Sequence, residues 1–382
     1  MWKNCVFRFK YCKNQRIFGS FLERKQMTIK KINIILAFLL VPFFAYSQAG
    51  RGVYQFLNLP ASSRIAALGG TNISHPESDI NFAFVNPALL SSQTDQIVGL
   101  NYANYIADVN FGTAIYGMNF GEGNFMSFGV KYFDYGQFLW RDKYNQSPGG
   151  DVDLFFGGQD LALYITYARQ LSEKITIGTT FKPIFSSLET YRSYGIAVDV
   201  GLSYVNPEKL FSAGLVFRNI GAQIRGYHSN ADGEHIEHRE PLAFDIQLGV
   251  TQRLQHAPLR FSFTLHNLQQ WNLAYQSTNQ PSTSFTPGNE PNNEIGFLDM
   301  AFRHAIISAE FVPSDNFYVS IGYNHRRLRE LSLTGFRSLS GFSFGSGIKV
   351  HNFHVGFAMT QFQTGINSYQ FSVATSLNQF RL

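Results

Sequence analysis

Apolar and polar positions alternate with a period of two along most of the chain after residue 95. From Tyr194 to Tyr204 every second residue is large and apolar, and the positions between them hold Gly, Ala, Ser and one Asp. From Leu259 to His266, Leu and Phe alternate with Arg, Ser, Thr and His. A period of two is the signature of a β-strand with two unlike faces. The pattern predicts fourteen strands, at residues 96–106, 111–120, 124–133, 160–169, 174–184, 194–205, 210–218, 242–252, 259–266, 302–311, 317–325, 340–350, 353–361 and 367–376.

The less apolar face of these strands indicates where they fold. A strand face in water usually carries Lys, Glu and Arg, whereas here it carries mainly Gly, Ala, Ser, Thr, Gln and Asn. Charged residues make up 15% of the chain, against about 25% in soluble domains. Ten residues tilted near 45° rise about 23 Å, close to the ~25 Å apolar band of membrane barrels. We therefore predict an all-β fold, a 14-stranded antiparallel transmembrane outer-membrane β-barrel, with a soluble β-protein as the competing interpretation.

The connections between the predicted strands follow a rule of their own. Short turns such as 121–123 and 206–209 alternate with long connections such as 134–159 and 267–301. Only 107–110 and 362–366 are short where long ones are expected. Outer-membrane barrels pair short periplasmic turns with long outer loops. With an even number of strands, both ends of the mature chain are then expected in the periplasm.

Residues 1–47 have the composition of a targeting segment. Met27 opens a run with Lys30 and Lys31, an apolar stretch follows from 32 to 44, and Ala45-Tyr46-Ser47 resembles a signal-peptidase site. We predict a signal peptide at 27–47 and an over-called upstream extension at 1–26. Residues 1–47 also hold nine of the 31 basic residues and one of the 26 acidic residues, so the rest carries a net charge of −3. The basic charge is therefore no sign of a nucleic-acid partner.

The only two cysteines, Cys5 and Cys12, lie in the upstream extension. The mature chain is therefore expected to lack disulfides, thiolate nucleophiles and cysteine metal sites. No cofactor is predicted.

Residues 48–95 show no useful alternation. Prolines and glycines break this segment, yet it contains apolar residues such as Leu57, Ile65 and Phe82 that need burial. Fourteen strands enclose more volume than their own inward side chains fill. We predict an N-terminal plug at 48–95 inside a barrel formed by 96–382.

Three stretches of the plug carry a family resemblance: residues 52–60 (GVYQFLNLP), 66–70 (AALGG) and 81–90 (NFAFVNPALL). They resemble the opening of the PorQ family, outer-membrane proteins of the Bacteroidetes type IX secretion system. The elements Gly69-Gly70 and Asn86-Pro87-Ala88 are more distantly similar to PorV and FadL-type barrels, in which this segment acts as a hatch. The resemblance is specific over residues 50–120.

The resemblance implies a function that the residue pattern alone does not. It implies an anchor for a cell-surface attachment complex containing a PorZ-like surface protein, PorU and PorV. That complex processes cargo and joins it to lipopolysaccharide. The competing hypothesis is a FadL-like outer-membrane channel for hydrophobic small molecules, which would need an apolar pocket beneath the hatch.

Candidate chemistry is sparse. His235 and His238 could place two imidazoles near one metal ion, but their surroundings have the composition of a solvated loop. No Gly-x-Ser-x-Gly elbow with a supporting His and Asp is found, so no enzyme activity is expected. Arg326, Arg327 and Arg329 are either an ordinary outer loop or a contact for lipopolysaccharide phosphates, which guanidinium groups bind in a bidentate manner. The connections 134–159 and 267–301 are the predicted docking loops for the surface partner.

Overall fold

The computed structural model describes residues 52–77, 79–140, 154–189, 191–231, 234–273, 296–331, 339–363 and 365–380. The predicted signal peptide and upstream extension lie outside these residues and stay predictions. Among the described residues, no helix is long and apolar enough to cross a membrane.

Fourteen antiparallel strands close into a barrel, because β1 pairs with both β2 and β16. Strands β8 and β9 form a separate hairpin, and β7 pairs directly with β10. The strands are β1 Ile97–Asn104, β2 Asn110–Asn119, β3 Asn124–Trp140, β4 Leu154–Ser172, β5 Ile175–Leu188, β6 Tyr191–Asn206, β7 Phe211–Arg225, β8 Tyr227–Ala231, β9 Glu234–His238, β10 Asp245–Arg253, β11 Leu259–Leu265, β12 Ala305–Ser314, β13 Phe317–Asn324, β14 Phe342–Val350, β15 Phe353–Gln363 and β16 Ile366–Ser376. The predicted fold is confirmed.

Along the strands, the apolar residues face outward and the polar residues face the lumen, as predicted. On β11, Phe261 and Phe263 are 46% and 39% exposed, while Arg260 and Ser262 between them are buried. A barrel with its apolar residues outside and its polar residues inside is built for a lipid environment. The turns that join β2–β3, β4–β5, β6–β7, β12–β13 and β14–β15 all lie at one end, here called the short-turn end, and the opposite end is the long-loop end.

Several boundaries differ from the prediction. The strands predicted at 124–133 and 160–169 extend to Trp140 and start at Leu154. The strand predicted at 302–311 starts at Ala305, because residues Phe297–Arg303 form a helix, α2. A further helix, α3, spans His325–Leu331. Neither helix nor the β8–β9 hairpin was predicted.

Residues 53–95, called the hatch below, lie inside the barrel. The hatch contains one α-helical turn, α1 at Ser63–Ala67, and short 3₁₀ segments at Gln55–Asn58, Ile80–Phe84, Pro87–Leu89 and Ser92–Thr94. The Ser62 hydroxyl caps α1 by accepting a hydrogen bond from Ile65 N. The hydrophobic core of the molecule forms where the hatch meets the barrel wall, through residues such as Phe56, Phe84 and Phe133.

Candidate functional site

Gly69 and Gly70 end helix α1. Their amides donate to the carbonyl oxygens of Ala66 and Ile65, each at 3.1 Å. Both have positive φ, 91° and 108°, a region that favours glycine. A Cβ on Gly69 would also lie 2.6 Å from Ile306 Cγ2 of β12. The pair thus turns the hatch where it presses against the wall.

Asn86, Pro87 and Ala88 form a second junction. The buried Asn86 side chain accepts from Ala88 N at 2.9 Å and donates to the Ile73 carbonyl at 2.7 Å. It thereby joins two parts of the hatch that are thirteen residues apart. These three residues therefore hold the backbone of the hatch in one shape, and the described contacts give them no ligand role.

A belt of glycines on the inner wall receives the hatch. At each of them, a side chain would collide with a hatch atom at 3.0 Å or less. The belt comprises Gly99, Gly117, Gly129, Gly178, Gly195, Gly201, Gly214, Gly249, Gly322, Gly345 and Gly356. Because protein interiors are close-packed, a wall of this shape fits the hatch in the position that the structure shows.

A buried charge cluster ties the hatch to β11 and β12. Arg64 of α1 lies 3.0 Å from Glu310 and 2.7 Å from Glu77. Arg260 contacts Glu310 at 2.9 Å and also pairs with Glu77. His75 lies 3.2 Å from Glu310 and stacks on Phe82. Two arginines thus face two carboxylates, and of these four side chains only Glu77, at 39%, is substantially exposed.

The directions in which the pKa values of Glu77 and His75 shift agree with these ion pairs. Burial alone would raise the pKa of the Glu77 carboxyl, but Arg64, His75 and Arg260 together hold it well below its ordinary value. Burial lowers the pKa of His75, and the charge of Arg64 lowers it further. At neutral pH, Glu77 is therefore ionised and His75 is neutral, which leaves a balanced set of two positive and two negative charges.

On the opposite side, the wall holds the hatch through its backbone. Lys131 of β3 donates to the Leu59 carbonyl at 2.6 Å, and Arg218 of β7 donates to the Leu57 carbonyl at 3.2 Å. Lys182 instead pairs with Asp199 of the wall itself at 2.6 Å. On this side of the barrel, two wall cations bind backbone carbonyl oxygens of the hatch and not hatch carboxylates.

Different parts of the hatch line two cavities. The cavity at the long-loop end has a volume of about 410 Å³ and is lined by Asn58, Leu59 and Gly70. The cavity at the short-turn end has about 760 Å³ and is lined by Glu77 and Asp79. Both contain charged wall residues. The FadL-like hypothesis expected an apolar pocket beneath the hatch, whereas both cavities are of mixed polarity.

The three arginines of the outer loop differ in their surroundings. Arg327 points inward, donates to the Ser340 carbonyl at 2.8 Å and the Ser343 hydroxyl at 2.6 Å, and lies over Phe362. Burial lowers the pKa of Arg327 to about 10. Arg326 pairs with Glu330 at 2.7 Å on the same helix. Arg329 is half-exposed, so the predicted lipopolysaccharide contact, still untested, is sterically open at Arg329 and closed at Arg327.

His235 and His238 both lie on β9, opposite Asn230 and Tyr227 of β8. The candidate metal site at these two histidines stays a prediction. Among the residues whose side chains the structure describes, no group of three potential ligands lies close enough to bind a metal ion.

No protein-family model matches the chain, and no curated protein matches its sequence. Solved structures do match. The monoaromatic hydrocarbon channel TodX, in its deltaS2 mutant form, is 13% identical, with a TM-score of 0.50 over 84% of this chain and 98% of that one. The Ralstonia pickettii toluene transporter TbuX is 12% identical, with a TM-score of 0.47 over 84% and 98%. A Pseudomonas aeruginosa FadL homologue is 10% identical, with a TM-score of 0.45 over 84% and 98%. At this identity the likeness to TodX shows the fold alone, a closed β-barrel of the outer-membrane type.

Proposed function

We propose that this chain is a non-catalytic, PorQ-like outer-membrane component of a type IX secretion system. It anchors a surface complex of a PorZ-like protein, PorU and PorV that joins cargo to lipopolysaccharide. The observation that carries the proposal is the closed lumen: glycines on the wall and the charge cluster hold the hatch on all sides. A hatch held in place on so many sides favours a function on the outer surface over passage through the lumen. The family assignment itself rests on the resemblance of residues 52–60, 66–70 and 81–90.

The wall offers a surface for such partners. Strands β3 to β7, called the tall wall, have 14 to 19 residues. The 19 residues of β4 rise about 44 Å at a 45° tilt, well beyond a ~25 Å apolar band. With the short-turn end and both mature chain ends in the periplasm, the excess projects from the cell. This projection carries part of the predicted docking loop 134–159, of which residues 141–153 lie outside the described residues.

A loss-of-anchor experiment tests the proposal. Deleting the gene should release the PorZ-like partner and unprocessed cargo into the medium. Replacing residues 137–157 by Asn-Gly, which removes only the projecting part of β3 and β4, should do the same while the barrel remains in the membrane. Replacing residues 274–295 by a Gly-Ser linker is the comparison that separates the two predicted docking loops. Normal surface levels of partner and cargo in the deletion strain would refute the proposal.

The second candidate is a FadL-like channel for hydrophobic small molecules. Its support is the fold: the similar structures are described as a hydrocarbon channel and a toluene transporter, and by that measure the comparisons favour this candidate over the anchor. The mixed polarity of both cavities and the charge cluster beneath the hatch speak against it. Uptake of radiolabelled toluene by vesicles containing the protein, compared with empty vesicles, tests it directly.

A further inference from the structure

Next to the tall wall, beyond β7 and β10, strand β11 is too short to cross the apolar band of a bilayer. Strands β10 to β13, called the low wall, have seven to ten residues. The seven residues of β11 rise only about 16 Å at a 45° tilt, against a ~25 Å apolar band. At β11, a part of the chain that is not a strand must therefore cover the outer part of the apolar band.

Helix α2 and Trp271 lie at this place. His304, which follows α2, exchanges hydrogen bonds with the backbone of His266 just beyond the end of β11, at 2.9 Å each. The indole of Trp271 stacks on the His304 ring at 5.5 Å and on the Phe297 ring at 5.0 Å. The helix and the indole thus continue the low wall upward from the ends of β11 and β12.

Helix α2 has two unlike faces. Met300 is buried, and Asp299 and Arg303 pair at 3.0 Å on the side that meets α3. Outward, Phe297 and Leu298 are 71% and 70% exposed. Phe302 and Trp271 are also half-exposed, and Ile307 of β12 continues this apolar surface into the lipid-facing band. An apolar surface of this size standing in water would be unusual for a soluble face, whereas an amphipathic helix at a lipid interface has this form.

One cation stands beside this apolar face. Arg329 of α3 is bonded to Asp299 through Nε at 2.8 Å, and half of its side chain is exposed. Asp299 is shared among Arg303, His325 and Arg329, so the two guanidinium groups exceed the one carboxylate by one positive charge. Arginine at a lipid interface binds phosphate oxygens through its remaining N–H groups.

We propose that α2 and Trp271 lie in the outer leaflet of the bilayer and complete the low wall there, with Arg329 binding the phosphate of an anionic lipid headgroup. Two observations support this proposal. Strand β11 is too short to cross the apolar band, and the exposed apolar face of α2 is continuous with the lipid-facing band of the barrel. The inference goes beyond the proposed function, because it holds for an anchor and for a channel alike.

Depth-dependent quenching tests the position of α2. In a Trp2→Phe/Trp140→Phe variant, Trp271 is the one indole, and the protein is inserted into vesicles of dibrominated phosphatidylcholine. Trp271 should lose most of its emission relative to non-brominated vesicles and stay protected from iodide in the water. The matched control adds Trp271→Phe and Phe155→Trp. Because Phe155 lies on the projecting part of β4 and is 58% exposed, its indole should keep its emission and be quenched by iodide instead.

Lipid selectivity tests Arg329. With equal fractions of brominated phosphatidylglycerol or phosphatidylcholine, one interfacial arginine should make quenching of Trp271 by the anionic lipid about fivefold more effective. Arg329→Gln should abolish this preference, and Arg192→Gln on the tall wall should leave it intact. If Trp271 is quenched by iodide and not by brominated lipid, the face stands in water and suits a protein partner, which overturns the proposal. A preference unchanged in Arg329→Gln would overturn the role of that arginine.

Discussion

The tall wall and the low wall hold the same hatch in different ways. The low wall binds it through ionised side chains, since Arg260 and Glu310 meet Arg64 and Glu77. The tall wall binds it mainly through shape and backbone, with five of the eleven close-packed glycines and with cations that reach hatch carbonyls. Longer strands share more ladder hydrogen bonds with their neighbours, so we expect the short strands of the low wall to depend more on the hatch for their stability.

The largest effect is expected from the low wall. Glu310→Gln removes the carboxylate between Arg64 and Arg260, and the two buried guanidinium groups then share one remaining carboxylate, Glu77. Breaking a buried pair from one side costs about 3 to 5 kcal/mol of unfolding free energy. Urea denaturation of the protein in vesicles, followed by tryptophan fluorescence, measures it. Glu122→Gln in an exposed turn is the control, and equal midpoints for the two variants would contradict the role of the cluster.

A smaller effect is expected from the tall wall. Gly201→Ala on β6 places a methyl group against Asn86 and within 3.0 Å of Pro87. Overpacking of this kind costs about 1 to 3 kcal/mol. At Gly112 of β2 the nearest atom to such a methyl group lies at 3.4 Å, so Gly112→Ala is the matched control. In the same denaturation experiment, the midpoint should shift for Gly201→Ala only. Unchanged midpoints for both variants would show that the hatch leaves the wall readily.

The smallest effect is a dependence on pH. The pKa of Glu77 is lowered on folding, so its stabilising contribution is complete above the unfolded pKa of about 4.3 and is lost as the pH falls toward the folded pKa. Stability should therefore decline below about pH 5. Glu77→Gln should weaken that decline, and the difference between the two proteins should vanish well below pH 3 in a pH series of denaturation midpoints. A wild-type midpoint that does not change between pH 5 and 3 would contradict the pairing.

The sequence predicts the wall far better than the site. Lipid on one side and a polar lumen on the other impose alternation, so all fourteen strands could be located. The pattern breaks where the pairing of β3 with β4 shifts register between Asp134 and Gln137, so the alternation predicts strands shorter than the observed ones. The alternation wrongly predicts strand at the end of helix α2, because Phe302 and Arg303 happen to continue the alternation of β12.

The charge cluster was missed because it joins residues remote in sequence. Arg64 and Glu77 belong to the hatch, and Arg260 and Glu310 to strands 50 residues apart. A usable signal existed: Arg260 and Glu310 stand at inward positions of strands whose other inward residues are small and mostly uncharged. Charges at such positions need partners, and the broken segment 48–95 was the one place to look for them. The glycines of the wall, in contrast, acquire their meaning only from the hatch atoms that face them.

Fixing the hatch in place tests the central claim, a permanently closed lumen, most directly. Ser74 of the hatch and Thr251 of β10 have hydroxyl oxygens 2.8 Å apart, so Ser74→Cys/Thr251→Cys should form a disulfide in a mature chain expected to have no other cysteine. Thr166→Cys/Thr180→Cys, whose hydroxyls lie 2.9 Å apart, joins β4 to β5 within the wall and is the control. The account predicts that both oxidised variants retain the surface complex at wild-type levels. Loss of anchoring, or of toluene uptake, in the hatch-locked variant and not in the control would show that the hatch must move and would contradict it.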